Sequence, residues 1–258
     1  MKQDVAQNLA ASMSSDTVDI IPYLPYLLQD FWELGSSPSD MAAMLADFVP
    51  QEDRTRALDL GCGKGAVSIE LARALGMHVK GIDAMPSFLA EARTRAAALG
   101  LSDLCTFEAG DIVEAVLDET GYDVTVYGAV GDVLGSQEHL IASLKETVRP
   151  GGYLLIDDAY RRADAQNEGT MAEDCLSLDE WNELFEQAGA TMLSCRPSSD
   201  SQEDYDRELA WIERRASELM GMHPDDTGLF ERYVEAQRAE YIELLADIVG
   251  ATWLLRVP

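Results

Sequence analysis

The chain has 258 residues and a mass of 28.3 kDa, enough for one sizeable α/β domain with additions. Its 47 acidic residues outnumber 19 basic ones, for a formal net charge of −28, and only four of the basic residues are lysines. Such a surface repels polyanions and disfavours a nucleic-acid partner, and no apolar run approaches the roughly 18 residues of a membrane helix. In the first twenty residues polar residues break the apolar ones into runs of at most three, so no signal-peptide core forms and a soluble, cytoplasmic protein is expected. Cys62, Cys105, Cys175 and Cys195 lie far apart with no C-x-x-C and no histidine at ligand spacing, which reads as four reduced thiols and no metal site. Residues 1–50 are expected to form an N-terminal helical cap, with a Pro-punctuated apolar segment at Ile20–Leu28, ahead of a domain spanning 51–258.

Residues 57–72 read ALDLGCGKGAVSIELA. Arg56–Leu60 is a short apolar strand, and Ala66, Val67, Ile69, Leu71, Ala72 and Leu75 fall near helical spacing before Gly76, a helix stop. Between them Gly61, Gly63 and Gly65 let the backbone turn sharply beside the N-terminus of the helix, where a ligand can approach closely. Two cofactor classes use such a turn. Gly61-x-Gly63-x-x-Ala66 satisfies the loose dinucleotide fingerprint, and Asp83 lies about 20 residues on, where a ribose-binding acid belongs. Asp59 favours the other class, because a carboxylate ahead of the turn repels a pyrophosphate but attracts an ammonium group. A Walker-type phosphate loop is excluded, since Gly63-Lys64 is followed by Gly65 and not by Ser or Thr.

Asp59-Leu60-Gly61-Cys62-Gly63-Lys64-Gly65 resembles the first motif of the class I S-adenosylmethionine-dependent methyltransferases, an acidic residue followed by G-x-G-x-G. The resemblance implies S-adenosylmethionine as cofactor and S-adenosylhomocysteine as product. It implies that Asp59, Gly61, Cys62, Gly63 and Gly65 hold the methionine end. A second strand, Met77–Asp83, ends in the acid that would bind the ribose hydroxyls, flanked by Ala84 and Met85. A third, Cys105–Gly110, is followed by Asp111 and Ile112, which would contact the adenine amino group and ring.

Tyr122–Gly128 reads as a fourth strand, Ser136 can cap a helix carrying Leu140, Ile141, Leu144 and Val148, and Pro150–Asp157 reads as a fifth strand. A capping box at Ser177 and Glu180 starts a helix through Phe185, Gly189 stops it, and Thr191–Cys195 and Thr252–Val257 read as the sixth and seventh strands. The fold class is therefore a doubly wound, mostly parallel seven-stranded sheet with helices on both faces. Ligands of such sheets gather at the carboxyl ends of the strands, where Asp59, Asp83 and Asp111 converge. The insert at about 200–250 carries apolar residues at helical spacing, Tyr205 to Leu219 and Phe230 to Ile248, and reads as two helices joined by residues 221–226. Three roles stay open for the helical additions: covering the cofactor and shaping an acceptor pocket, packing a homodimer, or packing the sheet edge.

Methyl transfer needs orientation first, and a base only when the acceptor is protonated. Tyr127, Asp158, Tyr160, His139 and His223 are the candidate polar groups, Tyr127 also being a candidate cofactor contact. Metal-dependent relatives place an acid at the end of the fourth strand, where Gly128 stands, and the Asn/Asp-Pro-Pro-Tyr signature of base- and glutamine-methylating enzymes is absent. The expected reaction moves a methyl group to an O, N or C atom of a small molecule. An NAD-dependent oxidoreductase using the same turn and a non-catalytic cofactor-binding module are the alternatives.

Overall fold

Strand and helix alternate from residue 56 onward in the computed structural model, which describes residues 1–50, 54–165 and 171–258. The expected domain boundary between residues 50 and 51 falls beside residues 51–53, outside the described residues. The strands are β1 (Arg56–Leu60), β2 (His78–Asp83), β3 (Cys105–Ala109), β4 (Tyr122–Gly128), β5 (Val148–Arg161), β6 (Thr191–Pro197) and β7 (Ile248–Arg256), in the sheet order β3-β2-β1-β4-β5-β7-β6. The ladders joining β1, β2, β3, β4 and β5 are parallel. β7 runs against β5. Gly151 N–H donates to the Pro258 carbonyl, Val257 N–H to Gly152 and Arg162 N–H to Asp247, a ladder in which one number rises as the other falls. The strand order reverses between β1 and β4, which places a crevice outside their carboxyl ends.

The described helices are α1 (Gln3–Ser12), α2 (Leu24–Leu27), α3 (Pro38–Ala46), α4 (Ala66–Leu75), α5 (Pro86–Ala98), α6 (Ile112–Asp118), α7 (Gln137–Thr147), α8 (Met171–Asp174), α9 (Leu178–Gln187), α10 (Gln202–Met222) and α11 (Thr227–Ala246). They belong to two compact units. The sheet unit comprises residues 33–158, 179–196 and 251–258. Its core is the buried apolar run of the central strands, Leu58, Leu60, Val124, Val126 and Leu154–Ile156. Trp181 of α9 and Trp253 of β7 close one end, their ring centroids 5.1 Å apart.

The helical unit comprises residues 1–32, 159–178 and 197–250. A capping box of Ser201 and Asp204 starts α10, and α10 and α11 bury Ile212, Ala216, Leu219, Phe230 and Tyr233, the face that the sequence periodicity marks. Pro22 and Pro25 leave the N-terminal segment as a 3-10 turn over Val18–Tyr23 followed by α2, rather than one long helix. Within the unit, Tyr23 packs edge-on against Phe230 at 4.9 Å, Phe31 against Trp211 at 5.2 Å, and Asp30 accepts from both Arg214 and Arg215.

Candidate functional site

The glycine turn is strapped to the neighbouring strand before any ligand is considered. Gly61 and Cys62 both donate their N–H groups to the Ile82 carbonyl, at 2.8 and 3.1 Å. Gly63 N–H donates to Asp83 Oδ2 at 2.8 Å, and Met85 N–H to Oδ1 at 2.7 Å. Asp83, 9 % exposed, thus ties the turn after β1 to the turn after β2. Gly61, Gly63 and Gly65 all have positive φ, +74°, +51° and +80°, a region that residues with a side chain rarely adopt. An added Cβ would also stand 2.6 Å from Val130 at Gly61, 3.0 Å from Leu34 at Gly63 and 2.8 Å from Ala92 at Gly65.

Asp59 is placed differently from the expectation that it stands open toward an ammonium group. It is 3 % exposed, and its carboxylate accepts from the Ser68 hydroxyl at 2.5 Å and from the Ser68 N–H. The strand continues one residue past it to Leu60, which turns Asp59 beneath the first turn of α4, where a negative charge satisfies orphan N–H groups. Burial is the leading cause that pushes Asp59 up from 3.8 to about 6, with Ser68 opposing and the nearby Asp83 charge adding to it. Between these values the folded chain holds a proton that the unfolded chain has released. Stability should therefore fall as pH rises from about 4 to about 6, by about 2–3 kcal/mol. Asp59→Asn should flatten that slope in urea unfolding across pH, and parallel curves for the two proteins would refute it.

Two further residues of the site have no signal in the spacing. Ser68 is the partner of Asp59. Lys64, inside the turn and 2 % exposed, lies 3.3 Å from Glu91 and over the Phe88 ring, so its charge is committed to α5. Asp111 follows the last residue of β3 and caps α6, Oδ1 accepting from Val113 N–H at 3.0 Å, with Ile112 buried beside it. Ala84 and buried Met85 form the turn after β2. Asp59, Asp83 and Asp111 therefore stand at the ends of the adjacent strands β1, β2 and β3.

Among the polar candidates for chemistry, Tyr127 and Asp158 are close enough for the Asp158 charge to help raise the Tyr127 pKa. Tyr127 is fully buried and donates its hydroxyl to the Gly131 carbonyl at 2.6 Å, with burial pushing its pKa well up, so it is a satisfied core tyrosine. Asp158 is half-buried on β5 and is the last residue of its segment of the sheet unit, whereas Tyr160 belongs to the helical unit. His139 is exposed on α7, and His223 is exposed between α10 and α11, edge-on to Tyr23 at 5.2 Å. At Gly128 a Cβ would stand 2.6 Å from the buried Ser36 hydroxyl, so the end of β4 has no room for an acidic side chain. Among the described residues no group of three or more His, Cys, Asp or Glu could hold a metal ion.

With this geometry in view, comparison with known proteins finds the methyltransferase domain over residues 51–205, more than half of the chain. The chain belongs to the class I S-adenosylmethionine-dependent methyltransferases. The uncharacterised protein YjhP of Escherichia coli is 32 % identical over 196 residues, covering 71 % of this chain and 76 % of YjhP. The 27-O-demethylrifamycin SV methyltransferase of Amycolatopsis mediterranei is 29 % identical over 168 residues, 60 % of this chain and 61 % of that enzyme, so the match spans less than two thirds of its length. A Geobacter sulfurreducens methyltransferase solved with S-adenosylhomocysteine shares the fold at a TM-score of 0.77 and 24 % identity, over 92 % of this chain and 98 % of that one.

The donor set fits the family's cofactor, S-adenosylmethionine. The Asp83 carboxylate accepts one backbone N–H on each oxygen, which leaves further lone pairs for a diol. No diphosphate has to be accommodated beside two buried carboxylates, as a dinucleotide would require.

Proposed function

We propose that this protein transfers a methyl group from S-adenosylmethionine to an O, N or C atom of a small-molecule acceptor. The observation that carries the reading is the Gly63–Asp83 hydrogen bond, which joins the glycine turn and the acid at the end of β2 into one rim at the strand carboxyl ends. In this reading Asp83 binds the ribose hydroxyls, Gly61, Cys62, Gly63 and Gly65 present backbone to the methionine end, and Ala84, Met85, Asp111 and Ile112 border the adenine. Asp59 braces the turn through Ser68 and helps the glycines hold their shape. S-adenosylmethionine supplies an electrophilic methyl on a sulfonium sulfur, so the protein's task is to exclude water and align the acceptor.

Tyr127 keeps its proton for the Gly131 carbonyl and is not offered as a base; Asp158 is the polar candidate of the sheet unit that we assign to orienting the acceptor. The net charge of −28 and the 27-O-demethylrifamycin SV methyltransferase relative from Amycolatopsis support a small acceptor over a nucleic acid. Calorimetric titration with S-adenosylmethionine, S-adenosylhomocysteine and NAD tests the cofactor. Incubation with S-adenosylmethionine and an acceptor library, reading S-adenosylhomocysteine release, tests the transfer. Micromolar binding of the first two and release with a small molecule are expected. Binding of NAD alone, or release only with RNA, DNA or protein, would overturn the reading.

A further inference from the structure

The helical unit holds a cavity of about 380 Å³ between the chain leaving α1 and one face of α11, lined among others by Ser15, Asp16, Leu229, Arg232, Tyr233 and Glu235. That volume lies within the range of about 300–1,000 Å³ typical of small-molecule sites. None of its lining residues belongs to the glycine turn or to the acids at the strand ends.

Of its polar lining, Ser14 donates to Glu240 and Ser15 to the Thr17 carbonyl, while the exposed Asp16, Arg232 and Glu235 make no ion pair among the described residues. The Tyr233 ring is buried, 3 % exposed, while its hydroxyl makes no hydrogen bond to a described residue and stays open to solvent. Arg232 makes no ion pair among the described residues, whereas Arg207, Arg214, Arg215 and Arg238 of the same unit all do. Arg232 and Glu235 are three positions apart on α11, a spacing at which opposite charges commonly meet, and they do not meet. Asp16 likewise has no partner among the described residues.

The charges select the occupant. A lone anion would be drawn to Arg232 but would face Asp16 and Glu235, and a lone cation would meet the reverse arrangement. A molecule carrying both an ammonium and a carboxylate satisfies all three. The Arg232 guanidinium offers a forked donor that matches a carboxylate, the two acids accept from an ammonium, and the Tyr233 hydroxyl can serve either group. Leu229 supplies apolar surface for a short aliphatic body.

We propose that this cavity binds a small zwitterion, an α-amino acid with a short aliphatic side chain, through Arg232, Tyr233 and the carboxylates of Asp16 and Glu235. The proposal does not depend on the methyl-transfer reading. Saturation-transfer NMR on the full chain with a panel of glycine, L-alanine, L-valine and L-leucine tests it, followed by 3-methylbutylamine and 4-methylpentanoate as the two halves of leucine. Saturable binding of at least one amino acid is expected, with each half of leucine at least about tenfold weaker than leucine itself. Arg232→Ala should weaken binding about tenfold or more and Tyr233→Phe several-fold, both with unchanged thermal unfolding midpoints. No binding by any amino acid, equal binding of either half, or unaltered binding in both variants would each overturn the proposal.

Discussion

Asp83→Ala is expected to weaken S-adenosylmethionine binding by at least a hundredfold, about 2.7 kcal/mol, in a calorimetric titration. Two losses combine in this variant. The cofactor loses the carboxylate proposed for its ribose, and the Gly63 and Met85 N–H groups lose the acceptor that shapes both turns. A buried donor left without a partner costs roughly 1–3 kcal/mol, so the glycine turn should relax even where the rest of the sheet unit stands. Asp83→Asn separates the two contributions. It keeps one carbonyl oxygen for one of the two N–H groups and turns an amide toward the other, so an intermediate loss is expected. Unchanged affinity in Asp83→Ala, with near-UV circular dichroism like the parent's, would remove Asp83 from the cofactor site.

Gly65→Ala is expected to destabilise the chain by about 3–5 kcal/mol and to abolish cofactor binding. Gly65 combines a φ of +80° with crowding, because the new methyl would lie 2.8 Å from the Ala92 Cβ and 2.9 Å from the Phe107 ring. Gly76 provides the control. It closes α4 with a φ of +67°, and nothing lies within 4 Å of the point a methyl would occupy, so Gly76→Ala should cost only the backbone strain of roughly 1–2 kcal/mol. Urea unfolding of the two variants side by side isolates the packing contribution. Equal losses would mean that the close approach of α5 and β3 to the turn has no energetic weight.

The contrast between these two glycines shows what the sequence carries. Their positive φ is local, and a strand–glycine–helix spacing announces it. The neighbours at Gly65 come from residues 27 and 42 positions away, and no spacing reveals them. The same division holds across the fold. β1 and β4 are legible to the residue because their apolar runs are bounded by glycine or by charge. β5 starts two residues earlier than expected and ends four later. Its ladder with β4 slips between Tyr122 and Val124, and the bulge absorbs Pro150 and its glycines before pairing resumes at Tyr153. Its far end is sustained by antiparallel pairing to β7, a long-range contact that periodicity does not encode.

Among site residues, Asp83 is legible because backbone turns at strand ends recruit a nearby acid, and its two N–H donors lie within twenty residues. Asp59 is legible as important but not in its role, which depends on where the α4 axis falls over the end of β1. α6 leaves little trace because its short sequence exposes Val113 and Leu117 and shows little apolar stripe. Arg232, without an ion pair among the described residues, is indistinguishable in sequence from its ion-paired neighbours, since pairing is a property of side-chain reach and not of composition.

The helical unit is stitched from three segments, the first parted from the other two by more than a hundred residues of the sheet unit. Tyr23, Asp30 and Phe31 leave the ribosome before the sheet segment 33–158, whereas Trp211, Arg215 and Phe230, against which they pack, are made only after it. The parallel β1–β4 core needs no residue beyond 128 for its own ladders and can form while synthesis continues. The N-terminal segment must therefore wait with Ile20, Leu24 and Leu27 uncovered, a window in which apolar surface is open to association. This unit is completed after the central sheet, and the amides of α10 and α11 should acquire exchange protection later than those of the central strands.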